Sequence, residues 1–208
     1  MYRRFVKRAL DILFSLLGLI VLSPLLLIVA LWIRLDSPGP ALFRQKRVGR
    51  DKVLFEILKF RTMRTDAPHD VPTHQFSHSQ DYITRIGKFL RKTSIDEFPQ
   101  LLNVLAGQMS LIGPRPALWN QDDLIACRDR YGANGVLPGL SGWAQVNGRD
   151  ELALETKAMR DGEYARNISF SLDVKCLFLT FRKAFTGEGV AEGKEGRRYT
   201  VTKTEDKP

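Results

Sequence analysis

Two adjacent carboxylates, Asp96 and Glu97, precede a proline and an apolar run in the stretch TSIDEFPQLLNVL. Such a pair can hold a divalent cation, and a carboxylate can also act as a nucleophile. A structural role is equally consistent, because Ser94 and Glu97 have the spacing of a capping box. If Pro99 instead lies near the first position of the helix, both acids lie just before it. The pair alone therefore leaves capping and chemistry open.

Groups that could bind phosphate occur on both sides of this pair. Arg115 stands between two prolines in GPRP, which restrict the backbone and could hold its guanidinium for bidentate phosphate contact. Other donors lie in KFR and in the glycine-punctuated segment PGLSGWAQVNGR: Lys59, Arg61, Gln145, Asn147 and Arg149. Acids for a metal together with donors for phosphate predict phosphoryl chemistry. No P-loop or dinucleotide-binding glycine pattern is found.

Composition narrows the class of protein. The length of 208 residues indicates one domain. The formal net charge of +9 indicates an anionic partner. Nucleic acid, an acidic membrane surface and a phosphorylated substrate all meet that requirement. The two cysteines, Cys127 and Cys176, are far apart and form no CxxC motif, which favours reduced thiols in a cytoplasmic setting.

An apolar run near the N-terminus predicts membrane association. Residues 12–33 are 22 residues without a charge, enough to cross a hydrocarbon core of about 30 Å. The run is longer than the apolar region of a signal peptide. Pro24 lies in its middle and removes one helical hydrogen bond, which favours a kink. The hydroxyl of Ser23 is the nearby candidate to satisfy the freed carbonyl.

Charge on both sides of the run bears on its topology. Basic residues precede it (Arg3, Arg4, Lys7 and Arg8) and follow it (from Arg34 to Lys52). Basic flanks tend to stay on the cytoplasmic side, so two basic flanks are consistent with a re-entrant helix-break-helix that enters and leaves on one face. The residues themselves leave this hairpin and a kinked span open.

Later segments predict the elements around the site. VLFEILKF is strand-like, and DYITRIGKFLRKTS has an apolar helical face opposite basic residues. SFSLDVKCLFLTFRKAFTG resembles an interfacial amphipathic helix, although a helix packed on the core is the alternative. All three histidines, His69, His74 and His78, fall in a polar, proline-punctuated loop, where a metal site is disfavoured.

These segments together resemble the bacterial sugar transferases of the monotopic phosphoglycosyl transferase superfamily, in the short single-domain form. The matching segments, in the family's order, are KRALDILFSLLGLIVLSPLLL, GPALFRQKRVGRDKVLFEILKFRTM, LRKTSIDEFPQLLNVLAGQMSLIGPRP, PGLSGWAQVNGR and EYARNISFSLDVKCLFLTF. They extend over about residues 1–185. The histidine loop and the C-terminal tail carry no motif of the family.

The resemblance implies a reaction and a site. The family transfers a sugar 1-phosphate from a UDP-sugar to polyprenol phosphate, with Mg²⁺ required and UMP released. It places the nucleophile on Asp96, the metal ligand on Glu97, a phosphate-binding arginine on Arg115 and the re-entrant break on Ser23-Pro24. The expected partners are the two substrates and anionic lipid headgroups but no nucleic acid; the sequence leaves a homo-oligomer open.

The resulting expectation is a membrane-associated α/β domain with surface-lying amphipathic helices at the cytoplasmic face of the inner membrane. Residues 1–36 form the re-entrant helix, 37–187 the catalytic domain with interfacial helices, and 188–208 a polar tail. Direct transfer without a covalent intermediate is a rival mechanism. A membrane-anchored scaffold or lipid-binding module without catalysis is a rival from another class.

Overall fold

The computed structural model describes residues 1–68, 79–148 and 152–186. It is a mixed α/β structure dominated by a long N-terminal helix, α1 (Lys7–Asp36), which follows a π-helical turn at Tyr2–Val6. The strands are β1 (Leu42–Val48), β2 (Leu54–Phe60), β3 (Ser110–Ile112) and β4 (Gly139–Ser141). The other helices are α2 (Ser79–Tyr82), α3 (Arg85–Thr93), α4 (Gln100–Leu105), α5 (Asp122–Arg130), α6 (Trp143–Val146), α7 (Leu154–Arg166) and α8 (Phe170–Thr186).

Helix α1 runs without interruption through Pro24, so the expected division into two helices is not present as a break in the helix. Pro24 has no N–H to donate to the carbonyl of Ile20, four residues earlier. The hydroxyl of Ser23 donates to that carbonyl instead, at 2.8 Å. The prediction that the Ser23 hydroxyl satisfies this carbonyl is therefore confirmed, and its part in a re-entrant break stays a prediction. Within the described residues, the helical segment Tyr2–Asp36 alone is long and apolar enough to cross a membrane, by length and composition.

Both halves of α1 pack against the rest of the protein. In the first half, the Asp11 carboxylate accepts a hydrogen bond from the Leu111 main-chain N–H at 3.0 Å. In the second half, Val29 and Ile33 are buried in a cluster with three residues of β2 and α3: Phe60, Ile86 and Leu90. The remaining surface of α1 is apolar and exposed over most of its length.

Two small sheets form the β structure. Strands β1 and β2 make an antiparallel hairpin in which Leu42 pairs with Phe60 and Val48 with Leu54. Strand β2, predicted from VLFEILKF, buries Phe55 and Ile57 against α4. Strands β3 and β4 are parallel.

Helices α7 and α8 cover the second sheet. Tyr164 and Cys176 are buried with Ile112 of β3 and Val146 of α6. The opposite face of α8 is exposed and apolar, with side chains from Phe170, Val174, Leu177, Phe178 and Phe181. The amphipathic helix is thus confirmed as a helix. One face packs on the core, and whether the other face meets a membrane stays a prediction.

Candidate active site

The two acids lie in a short 3-10 turn, Ile95–Glu97, between α3 and α4. Ser94 ends α3 in the left-handed backbone conformation (φ 57°) and makes no side-chain cap, so the capping-box interpretation is wrong. Pro99 comes directly before α4, as the alternative reading predicted. The turn therefore presents Asp96 and Glu97 ahead of α4, and neither residue lies within an α-helix.

Glu97 is held between two cations. Its Oε1 accepts hydrogen bonds from Lys59 Nζ at 2.8 Å and from Arg115 Nη2 at 2.7 Å. The three side chains are largely buried, with exposed fractions of 15% for Lys59, 14% for Glu97 and 27% for Arg115. Burial opposes ionisation of Glu97, but Arg115 and Lys59 outweigh it and hold the pKa of Glu97 well below its usual range. Glu97 is therefore anionic at neutral pH. Burial lowers the pKa of Lys59 despite the attraction of Glu97.

Asp96 has a different electrostatic environment from its neighbour. Burial raises the pKa of Asp96 to about 6, and the negative charge of Glu97 adds to the rise, while Lys59, Arg91 and Arg115 oppose it. A position just before a helix start favours the anion, but loss of hydration has the larger effect. At pH 7 the anion is still the main form, and it is less well solvated than an exposed carboxylate. Such a carboxylate is suited to act as a nucleophile.

Lys59 lies on strand β2, and Asn103 joins that strand to α4, the helix that follows the acidic turn. The buried Asn103 amide accepts from the Leu58 main-chain N–H at 2.9 Å and donates to the Glu56 carbonyl at 2.8 Å. It also donates to the Gln108 side chain at 2.7 Å. Asn103 lies in the quoted family segment, but the sequence analysis assigned it no role.

Arg115 follows β3 in a loop that packs backbone to backbone against the segment around β4. Gly113 N–H donates to the Ser141 carbonyl, and Gly139 N–H donates to the Pro114 carbonyl, both at 2.8 Å. A Cβ on Gly113 would lie 2.4 Å from the Leu137 carbonyl oxygen, so glycine is required for this approach. Gly113 and Gly139 thus allow the close backbone contact that positions the loop carrying Arg115.

Arg47 is a further cation near this site that the sequence analysis did not single out. Its guanidinium donates to the Pro116 carbonyl at 3.2 Å and to the Gln45 side chain at 2.6 Å. Burial and the nearby charge of Arg115 lower the pKa of Arg47 to about 10. It lies among several basic residues of β1, and nothing in that pattern distinguishes it.

Other predicted site residues have separate contacts. Arg61 donates to the carbonyls of Ser37 and Pro38, at 2.7 and 2.6 Å, and so fastens the loop after α1. Gln145 donates to the Leu140 carbonyl at 3.3 Å and Asn147 to the Trp143 carbonyl at 2.7 Å. The structure does not pair these three side chains with Glu97, and their phosphate-binding roles stay predictions.

Some sequence-based predictions fall on other parts of the chain. Arg149, His69, His74 and His78 lie outside the described residues, as does the tail from residue 188. Both cysteines are buried free thiols, as expected.

The acidic pair fits Mg²⁺ through few protein ligands. In the described ranges no cluster of three or more His, Cys, Asp or Glu could hold a metal. Glu97 Oε1 accepts the short hydrogen bonds from Lys59 and Arg115. The contact of its Oε2 with Arg115 Nη1 is longer, at 3.5 Å, so Oε2 is the less strongly engaged oxygen. Mg²⁺ commonly binds one or two carboxylates together with substrate phosphates and water. Glu97, with Asp96 beside it, meets that requirement.

Comparison with known proteins gives consistent matches over most of the chain. The model of the family described as bacterial sugar transferase matches residues 2–187. An undecaprenyl-phosphate glucose phosphotransferase of Komagataeibacter xylinus is 44% identical over 187 residues, which cover 85% of this chain and 35% of that protein. A UDP-glucose:undecaprenyl-phosphate glucose-1-phosphate transferase of Escherichia coli (strain K12) is 41% identical over 192 residues, covering 89% and 41%.

A relative of more similar length has the same name as the Escherichia coli protein. The UDP-glucose:undecaprenyl-phosphate glucose-1-phosphate transferase of Caulobacter vibrioides is 44% identical over 189 residues, covering 86% of this chain and 70% of that protein. The chain thus spans less than half the length of the first two relatives and more than two thirds of the third.

Proposed function

Because the chain belongs to the bacterial sugar transferase family, we propose that it transfers a sugar 1-phosphate from a UDP-sugar to undecaprenyl phosphate and releases UMP. The observation that carries the proposal is a pair of adjacent carboxylates whose pKa values are shifted in opposite directions. Asp96 is a partly buried carboxylate with a raised pKa, and the adjacent Glu97 accepts hydrogen bonds from both Lys59 and Arg115. The substrates proposed are those named for the relatives, and the site contains residues suited to phosphoryl transfer.

The first step forms a covalent intermediate on Asp96. A carboxylate oxygen of Asp96 attacks the phosphorus bonded to the sugar, and the bond from that phosphorus to the UMP oxygen breaks. UMP leaves with the electron pair, and the sugar phosphate remains on Asp96 as an acyl phosphate. Lys59 and Arg115 lie beside the acids and offset the negative charge of the diphosphate as UMP departs.

The second step regenerates the enzyme. A phosphate oxygen of undecaprenyl phosphate attacks the phosphorus held on Asp96, and the bond to the carboxylate breaks. The products are undecaprenyl diphosphate sugar and the free Asp96 carboxylate. The two half-reactions give ping-pong kinetics, in which UMP is released before the lipid reacts.

Mg²⁺ would be held by Glu97 and by oxygens of the diphosphate. When bound, it would neutralise part of the charge on the diphosphate and on the departing UMP. The two cations already on Glu97 place that carboxylate within the cationic part of the site. Lys59 and Arg115 orient Glu97 through their hydrogen bonds, and Asp96 is the carboxylate that attacks the phosphorus.

We place the chain on one face of the membrane, with α1 re-entrant. The supporting observation is that both halves of α1 contact the same domain, through Asp11 near one end and through Val29 and Ile33 near the other. Basic residues flank the apolar run on both sides, which favours the cytoplasmic face of the inner membrane. The exposed apolar face of α8 would then lie at the interface, where basic side chains meet anionic headgroups.

Mass spectrometry of the intact protein tests this function. Purified protein with Mg²⁺ is mixed with each member of a UDP-sugar panel that begins with UDP-glucose and UDP-N-acetylgalactosamine. The expected result is one phosphosugar adduct per chain, with an equal amount of UMP, in the absence of lipid. Asp96→Asn should abolish the adduct.

Undecaprenyl phosphate, added afterwards, separates the alternatives. It should discharge the adduct and give multiple turnovers. UMP release that requires the lipid, with no adduct, would establish direct transfer. Absence of UMP release with every sugar, with and without lipid, would favour a scaffold or lipid-binding module.

A further inference from the structure

A buried ion pair lies behind the loop that carries Arg115. Arg128 of α5 donates to Asp161 Oδ2 of α7 through Nε at 2.9 Å and through Nη2 at 2.5 Å. The side chains are only 4% and 1% exposed. An ion pair buried this deeply carries a desolvation cost and is often no more stabilising than apolar residues of similar size. Packing alone therefore does not explain it.

The same arginine also contacts the candidate active site through the backbone. Its Nη2 donates to the main-chain carbonyl of Arg115 at 2.9 Å. Arg115 in turn directs its guanidinium to Glu97 at 2.7 Å. The contacts form one chain from Asp161 through Arg128 and Arg115 to the carboxylate of Glu97.

The planar guanidinium of Arg128 can donate to Asp161 and to the Arg115 carbonyl at the same time. Asp161 takes up Nε and Nη2 of the guanidinium, which sets the plane in which Nη2 meets the Arg115 carbonyl. Lysine has a single ammonium on a flexible stem and cannot reproduce that geometry. The flanking prolines restrict the backbone of Arg115 without supplying a hydrogen bond to it. Arg128 thus joins the Arg115 carbonyl to α5.

We propose that Arg128, oriented by Asp161, is a positioning residue that holds the Arg115 backbone so that the Arg115 guanidinium engages Glu97 and the substrate diphosphate. The catalytic part of this inference rests on the proposed function. The structural part, restraint of residues 113–118 by Arg128, does not.

The first measurement needs no substrate. Hydrogen–deuterium exchange of the peptide covering residues 113–118 is compared for wild type, Arg128→Lys and Arg128→Gln in the same detergent. Loss of a hydrogen bond from a charged donor should speed exchange in this peptide by about tenfold or more. The Lys variant keeps a positive charge beside Asp161, so it tests the carbonyl contact even if the Gln variant fails to fold.

A matched control is available on the same two helices. Arg130 of α5 pairs with Glu155 of α7 at 2.5 Å, and this contact is exposed, whereas the Arg128–Asp161 pair is buried. Arg130→Gln should leave exchange of residues 113–118 and turnover as in wild type. Unchanged exchange in Arg128→Lys and Arg128→Gln would overturn the proposal.

The second measurement is a double-mutant cycle on kcat/KM for the UDP-sugar. Arg128→Lys should lower kcat/KM by about 10- to 100-fold in the wild-type background. In an Arg115→Ala background the same change should cost less than about threefold, because the guanidinium it positions is absent. A purely structural role would give the same fold-loss in both backgrounds, and that result would overturn the proposal. If wild type turns over no UDP-sugar, the proposed function fails, and the exchange comparison alone decides the role of Arg128.

Discussion

Two substitutions of equal size at adjacent positions should change stability in opposite directions. Glu97→Gln and Asp96→Asn each replace a carboxylate by its amide. Glu97 is the counter-ion of two largely buried cations, whereas Asp96 is a carboxylate for which loss of hydration disfavours the charge. We expect Glu97→Gln to destabilise the fold and Asp96→Asn to leave it as stable as wild type or more stable. Both variants should lose turnover.

The size of the first effect can be estimated from the geometry. Lys59 Nζ and Arg115 Nη2 lie 2.8 and 2.7 Å from the same oxygen, so the two nitrogens are at most 5.5 Å apart. At an effective dielectric constant of about 20, two unit charges at that distance repel by about 3 kcal/mol. Deprotonation of Lys59, whose pKa burial already lowers, would limit the cost. We therefore expect Glu97→Gln to lower the free energy of unfolding by about 2–4 kcal/mol.

The opposite sign at Asp96 follows from its pKa. A folded-state value of about 6 means that the fold disfavours the carboxylate anion relative to the neutral form. At pH 7 the native protein carries that anion, and Asn removes the charge while keeping the size of the side chain. Residues that favour function over stability commonly behave in this way.

Urea unfolding at pH 7 in one detergent, followed by tryptophan fluorescence, measures both variants against wild type. Inorganic phosphate supplies a control, because an anion bound between Lys59 and Arg115 should restore stability to Glu97→Gln more than it stabilises wild type. The reasoning is refuted if Glu97→Gln is as stable as wild type, or if Asp96→Asn loses more stability than Glu97→Gln.

Three further substitutions test the site and the topology. Arg115→Ala should lower kcat by about 10²–10³ and Arg115→Lys should recover little of it, because an ammonium lacks the planar fork; near-normal turnover in the Ala variant would exclude Arg115 from the site. Asn103→Ala leaves two main-chain groups of β2 unpaired and should lower the free energy of unfolding by about 2–5 kcal/mol in urea titrations, whereas a change below 1 kcal/mol would contradict the assigned contacts. Pro24→Ala should raise the population in which α1 spans the membrane. Cysteines placed at Tyr2 and Arg44 would report this change. Both should be protected from an impermeant external reagent in the wild-type background, and one of them should become labelled in Pro24→Ala. Unchanged labelling would show that Pro24 does not decide the topology.

Local patterns predicted much of what surrounds the site. The strand-like composition of VLFEILKF predicted β2, and the apolar spacing in SFSLDVKCLFLTFRKAFTG predicted α8. The resemblance singled out Asp96, Glu97 and Arg115, but the contacts among them depend on tertiary packing. The raised pKa of Asp96 was not predictable either, because it comes mainly from burial. Motif spacing carries no information about hydration.

Residues that hold the site together were missed for a related reason. Asn103 and Arg128 make their important contacts with main-chain atoms 45 and 13 residues away along the chain. A contact to a backbone atom leaves no side-chain partner in the sequence that could suggest it. Arg128 also stands in RDR, where alternating charges are typical of an exposed helix. Its burial against Asp161 is visible only once α5 and α7 are packed together.

The uninterrupted helix at Pro24 shows what a local rule can and cannot decide. Proline in a helix interior removes one hydrogen bond, and the rule predicts a kink because the freed carbonyl is left without a partner. Here the Ser23 hydroxyl supplies that partner, so the cost is small enough for the helical backbone to continue. Topology then depends on what the two halves of α1 contact. Asp11 and Val29 lie on opposite sides of Pro24, and both are buried against the same domain. A helix crossing the bilayer would have to separate one of these halves from the domain and expose either a carboxylate or an apolar cluster. The packing therefore favours a helix that stays on one face, and Ser23-Pro24 favours it only by making the segment easier to bend.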